Sequence, residues 1–120
     1  MDWKLIDDRP IWMQLTEQLT ERIVSNVYPA GSRLPSVREL AAQAGVNPNT
    51  MQRALSELEN NGLAITSRTS GRVVTPELAV IEKVRQNLAE KCIVTYLNGM
   101  SQLGYDKREA VDFIAEREGK

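Results

Sequence analysis

Residues 34–58, LPSVRELAAQAGVNPNTMQRALSEL, decide how the rest of the chain is read. Ser36 with Glu39 forms a capping box: the hydroxyl takes the third backbone N–H of a new helix while the carboxylate reaches back to the cap. A short helix therefore begins at Val37. Val37, Leu40, Ala41 and Ala44 share one face of it, and Gly45 follows where a left-handed residue ends a helix. Asn47 is placed to cap a second helix, with Pro48 at its first position, where a missing N–H costs nothing. Met51, Ala54, Leu55 and Leu58 give that helix a buried face, leaving Asn49, Thr50, Gln52, Arg53 and Ser56 outward. Two short helices about a tight turn, with small Ala41 and Gly45 allowing close approach, are a helix-turn-helix. That motif lays its second helix in the DNA major groove. The outward side chains are of the kinds that hydrogen-bond bases and phosphates. The bland alternative is a helical hairpin with a solvated polar face, and the flanks decide between the two.

Upstream, residues 1–9 place Trp3, Leu5 and Ile6 between charges, as an extended arm with apolar side chains to pack. Pro10 can open a helix in which Ile11, Leu15, Leu19, Ile23 and Val27 recur at near-helical spacing, with Gln14, Glu17, Gln18, Glu21 and Arg22 outside and an end near Asn26. Tyr28, Pro29, Ala30, Gly31 and Ser32 then form a turn. Downstream, Asn61 and Gly62 stop the second motif helix, and the β-prone runs 63–67 and 72–75 flank a turn to make a hairpin. Its tip carries Arg68, Ser70, Gly71 and Arg72, suited to phosphates or a minor groove. Three helices followed by such a hairpin are a winged helix, over residues 1–75.

Past Pro76 the period is helical again. Leu78, Ile81, Val84, Leu88, Cys92, Tyr96, Met100 and Leu103 trace one apolar stripe, with Ala89, Ile93 and Leu97 beside it. Gly104 ends that helix, and Asp106 with Glu109 caps a last one bearing Ala110, Val111, Phe113 and Ile114. A helical pair this small leaves apolar surface uncovered, and a second copy of the chain is its natural cover. Residues 76–120 are thus expected to be a two-helix dimerisation hairpin, using Leu78, Ile81, Val84, Leu88, Ile93, Tyr96, Leu97, Met100, Phe113 and Ile114. The fold class is mainly α with a small β-hairpin.

With no His and a single Cys, the chain lacks the ligands of an ordinary zinc site and the Ser-His or Cys-His nucleophile arrangements, so neither an enzyme nor a metal or other cofactor is expected. Cys92 sits among apolar neighbours and is read as a packing residue. No run of roughly 18 apolar residues and no signal-peptide pattern is present, so the expected location is the cytoplasm. A net charge of −1 argues weakly against nucleic acid, but Arg38, Arg53 and Arg72 can share one surface while Glu39, Glu57 and Glu59 lie at helix ends or backs.

Residues 10–75, from PIWMQLTEQL through YPAGSRLPSVRELA to TSGRVV, resemble the GntR family of bacterial transcription regulators. The resemblance implies a winged helix-turn-helix in which Arg38, in the LPSVREL segment, contacts DNA. It also implies that Asn47, Asn49, Thr50 and Gln52 approach bases and phosphates and that Gly71 is the wing glycine. Pro48 and Gln52 stand where many members have basic residues, so base contacts do not transfer directly. The tail, with LGYDKREAVDFI, resembles the YtrA-type branch, whose C-terminal region is a short helical dimerisation unit; about 45 residues are too few for a larger ligand-binding domain. The expected function is that of a homodimeric regulator, open to an unknown small-molecule effector, that binds a pseudo-palindromic double-stranded operator and represses. Arg38, Thr50, Arg53 and Arg72 would grip phosphates, and Asn47, Asn49 and Gln52 would meet base edges. An unknown small-molecule effector would find Trp3, Trp12, Tyr28, Tyr96 and Tyr105 as pocket aromatics. The alternative from another class is a winged helix used as a protein-interaction module without DNA binding.

Overall fold

The computed structural model describes residues 2–117. Five helices and one hairpin follow in the order α1 (Ile11–Val24), α2 (Val37–Ala44), α3 (Pro48–Asn60), β1 (Ala64–Ser67), β2 (Gly71–Val74), α4 (Leu78–Gln102) and α5 (Lys107–Glu116). The chain divides into two units, Met1–Val84 and Arg85–Lys120.

The first unit is built around α3. Met51, Ala54, Leu55 and Leu58 are at most 1% exposed and meet Leu15, Leu19 and Ile23 of α1, Leu40 and Ala41 of α2, and Leu63, Ala64 and Val74 of the hairpin. Both bonds of the Ser36–Glu39 capping box form, at 3.1 and 2.9 Å. The Asn47 side chain accepts the Asn49 N–H at 2.7 Å, with Pro48 beginning the helix behind it. Gly45 takes φ 69°, and a Cβ there would meet nothing within 4 Å. Its role is the left-handed turn alone, and the close approach expected of it falls to Ala41, which is 3% exposed.

The hairpin pairs Ala64 with Val74, Ile65 with Val73, Thr66 with Arg72 and Ser67 with Gly71, one residue earlier on β2 than the sequence pattern indicates. Gly71, at φ 73°, closes the three-residue loop. A bare two-stranded hairpin is marginal. Here the residues just before α2 brace it: the Leu34 N–H donates to the Arg72 carbonyl at 2.9 Å and the Val74 N–H to the Ser32 carbonyl at 2.8 Å.

α1 departs from its expected pattern. Gln14 and Arg22, read as outward, are 1% and 3% exposed, because the N-terminal arm lies over them. The Gln14 side-chain amide accepts the Ile6 N–H and donates to the Ile6 and Arg9 carbonyls. Gln18 repeats the exchange on Lys4, accepting its N–H and donating to its carbonyl. Two glutamine amides one turn apart thus replace a strand partner for the arm. Trp3 and Leu5 pack on the core, with the Arg22 guanidinium 3.6 Å from the Trp3 ring centre, while Ile6 stays exposed. Val27 is exposed as well, since α1 ends at Val24 and Asn26, at φ 71°, turns the chain away before another helical repeat.

At the start of α4, Val80, Ile81 and Val84 pack on the first unit's core. Among the described residues of the second unit, Met100 and Ala110 alone are buried. The Asp106–Glu109 capping box starts α5, the Tyr96 hydroxyl donates to the Ala110 carbonyl at 2.8 Å, and Tyr105 meets Phe113 edge-on at 5.7 Å. Cys92, read as a packing residue, is exposed on α4. Among the described residues no helix is long and apolar enough to cross a membrane, and no cluster of candidate metal ligands occurs.

Candidate nucleic-acid interface

The outward face of α3 carries Asn49, Gln52 and Arg53, all exposed, with Thr50 and Ser56 half-buried beside them. They face out because Met51, Ala54, Leu55 and Leu58 take the opposite side of the helix into the core. Gln52 reaches only a long contact to Ser56, 3.5 Å, so its amide is available on both its oxygen and its nitrogen. Asn47 differs. Its side-chain oxygen is engaged in the cap, which leaves the amide nitrogen as donor and removes the two-point pairing with adenine that a free amide offers.

Arg38 and Glu39 are exposed on the first turn of α2. The Ser36 backbone N–H and hydroxyl hold the Glu39 carboxyl below its usual range, so the cap stays charged beside Arg38. A shallow groove of about 210 Å³ joins this end of α2 to the wing, lined by Arg33, Pro35, Ser36, Ser70, Gly71 and Arg72 among others. Arg33 is a member that the sequence pattern presented only as connection; its bridge to Val73 puts it there. Arg68 stands exposed at the wing tip.

The three arginines expected to form one positive surface have different partners. Arg38 is exposed and carries no ion pair among the described residues. The Arg53 guanidinium lies over the Trp12 ring, 4.2 Å from its centre. Arg72 donates from Nε to Glu59 at 2.6 Å, and Thr66 donates to the other Glu59 oxygen at 2.8 Å. Glu59, read as the back of a helix, therefore ties the last turn of α3 to both strands of the wing. The Arg72 hydrogen bond, opposed by partial burial and aided by Thr66, holds its carboxyl below the usual range.

A polar recognition helix, a capped helix before it and a wing braced against both now stand together. Residues 13–74 match the family described as bacterial regulatory proteins, gntR family. The chain belongs to the GntR family. It is a DNA-binding transcription regulator, with the winged helix-turn-helix and C-terminal helical region of that family, and not an enzyme. It is 33% identical to the HTH-type transcriptional regulator YhcF of Bacillus subtilis over 95% of this chain and 94% of that one. It is 33% identical to the HTH-type transcriptional repressor YtrA of the same organism, over 84% of this chain and 73% of that one. A GntR family transcriptional regulator from Listeria monocytogenes superposes with a TM-score of 0.86 at 34% identity, covering 95% of this chain and all of the other.

The aromatic residues weighed as pocket walls are engaged in packing. Trp3 and Trp12 lie under arginines, Tyr28 packs on the winged-helix core, Tyr96 bonds to Ala110 and Tyr105 meets Phe113. Burial raises the Tyr28 hydroxyl above its ordinary pKa, against the pull of Arg22.

Proposed function

We propose that the protein is a homodimeric repressor that binds a pseudo-palindromic operator, its residues 1–75 reading DNA and its residues 76–120 pairing two copies. The observation that carries the reading is the outward row of exposed polar side chains on α3, beside an exposed first turn of α2 that the groove from Arg33 to Arg72 joins to the wing. Asn49 and Gln52 are the base-reading amides of this proposal, Asn47 contributes a single donor, and Arg38, Thr50, Arg53, Arg68, Ser70 and the Gly71 backbone meet phosphates. Arg72 acts chiefly through Glu59, holding the wing.

Two recognition helices entering successive major grooves require half-sites about one helical turn, roughly 34 Å, or a multiple of it, apart. Pairing is supported by the apolar side chains left uncovered on the helical region: Leu78, Ile93, Val94, Leu103, Val111 and Ile114 are each more than half exposed. Leu88, Tyr96, Leu97 and Phe113 flank them half-buried, whereas Ile81 and Val84 are already engaged on the winged-helix core and Met100 is buried. Repression is the mode of action that the similarity to the repressor YtrA favours, by occupancy of a promoter. Such a regulator works in the cytoplasm, with its DNA; a small effector would act by changing dimer geometry.

Arg38→Ala tests the interface. Gel shifts on the promoter of the protein's own operon should show weaker binding by about tenfold, with the log–log salt slope flattened by about 0.9 for each contact removed. Unchanged binding and slope would remove Arg38 from the interface.

A further inference from the structure

Arg53 is the only basic residue of α3, and no carboxylate among the described residues forms an ion pair with it. What it has instead is the Trp12 ring of α1, 4.2 Å from its guanidinium carbon. The contact is part of a defined helix–helix register. One turn along α1 from Trp12, the Thr16 hydroxyl, 7% exposed, shares its single proton between the Trp12 carbonyl at 2.9 Å and the Ala54 carbonyl of α3 at 3.2 Å. Consecutive residues of α3, Arg53 and Ala54, thus meet consecutive turns of α1. The Thr16 bond fixes how far α1 slides along α3, and with it where the Trp12 ring stands.

We propose that Trp12 is a positioning residue for DNA binding, holding the Arg53 guanidinium at the edge of the recognition face so that its N–H rim is presented to a backbone phosphate. Stacking occupies the flat face of a guanidinium and leaves its five in-plane N–H donors free. Tryptophan is the best ring for this, and at a solvent-exposed site such as Arg53 the attraction suffices to favour one arrangement of a long flexible side chain without burying its charge. Ordering Arg53 before DNA arrives removes part of the entropy that binding would otherwise cost. Trp12 itself needs no DNA contact. The inference rests on Arg53 being a phosphate ligand, as in the proposed function.

The test is a double-mutant cycle on the full chain, reading fluorescence anisotropy with a random-sequence duplex over a salt series, since a phosphate contact is sequence-independent. Trp12→Leu should weaken binding roughly two- to fivefold and flatten the salt slope, while Trp12→Phe, which keeps an aromatic face, recovers most of both. In an Arg53→Ala background, Trp12→Leu should add no further loss. Arg53→Lys, which keeps the charge and leaves α1 untouched, should lose affinity too, and it carries the test should Trp12→Leu unfold. The proposal is overturned if Trp12→Leu weakens binding equally with and without Arg53, if it leaves binding intact while Arg53→Ala reduces it, or if Arg53→Lys binds like the parent. Parent-like affinity and slope for Arg53→Ala is a separate result: it removes Arg53 from the phosphate contacts, and the role of Trp12 with it.

Discussion

The two units of the chain use similar apolar residues to different ends. In Met1–Val84, α1, α2, α3 and the hairpin converge on one core whose members are at most 3% exposed. Among the described residues from Arg85 onward, Ile93, Val94, Leu103, Val111 and Ile114 lie between 52% and 75% exposed, and only Met100 and Ala110 are buried. Helical pattern is present in both; convergence of several elements is present in one. A single long helix can be regular in its backbone hydrogen bonds and still hold almost nothing against water, because burial comes from neighbours and not from periodicity. The first unit is accordingly expected to carry its own stability. The second is expected to acquire it from another copy.

Cutting into the core of the first unit should have the largest effect. Leu55→Ala, at an α3 side chain 1% exposed within the core, should cost about 2–5 kcal/mol in urea unfolding. Ile93→Ala, on the exposed helix, should cost far less by the same measurement in dilute protein. Equal losses at the two positions would abolish the contrast between the units.

Next in size is the effect of placing a charge on the uncovered helical surface. Ile93→Asp should convert the proposed dimer to monomer in sedimentation velocity and weaken operator binding by about a hundredfold, as two linked half-site contacts become independent. Its circular dichroism should retain the winged-helix signal. A variant that remains dimeric with parent-like affinity would move the pairing surface elsewhere.

The smallest effect is expected at the clamp between α3 and the wing. Glu59→Gln replaces a charge-assisted bond to Arg72 with a neutral one and should cost about 1 kcal/mol or less, since both partners are partly solvated. Because the folded state holds the Glu59 carboxyl below its usual range, its contribution is present above the unfolded carboxylate pKa, near about 4.3. It fades as pH falls through that value and on through the lower folded one. Denaturant unfolding of the parent and Glu59→Gln should therefore converge on acidification; a gap that persists unchanged at low pH would rule out the charge as its source.

Much of the winged helix was legible in short-range chemistry. Ser36 and Glu39, Asn47 and Pro48, and Asp106 and Glu109 mark helix starts because capping is a bargain among neighbours in sequence, and each forms as its residues imply. Gln14 was misread because its burial depends on an arm eight residues upstream folding back over α1, which a helical period cannot report. Cys92 is exposed in the single chain, because an apolar neighbourhood on a helix brings burial only where something covers it.

The sequence by itself determined which segments are helices, where the hairpin lies and which side chains of α3 point away from the core, because these follow from caps, turns and periodicity within a few residues. Only tertiary structure decided what those side chains are free to do. It tied Arg72 to Glu59 and laid Arg53 on Trp12. These assignments depend on side chains from separate elements reaching the same few ångströms of space. Such meetings are set by how the elements pack, and local sequence chemistry does not encode them.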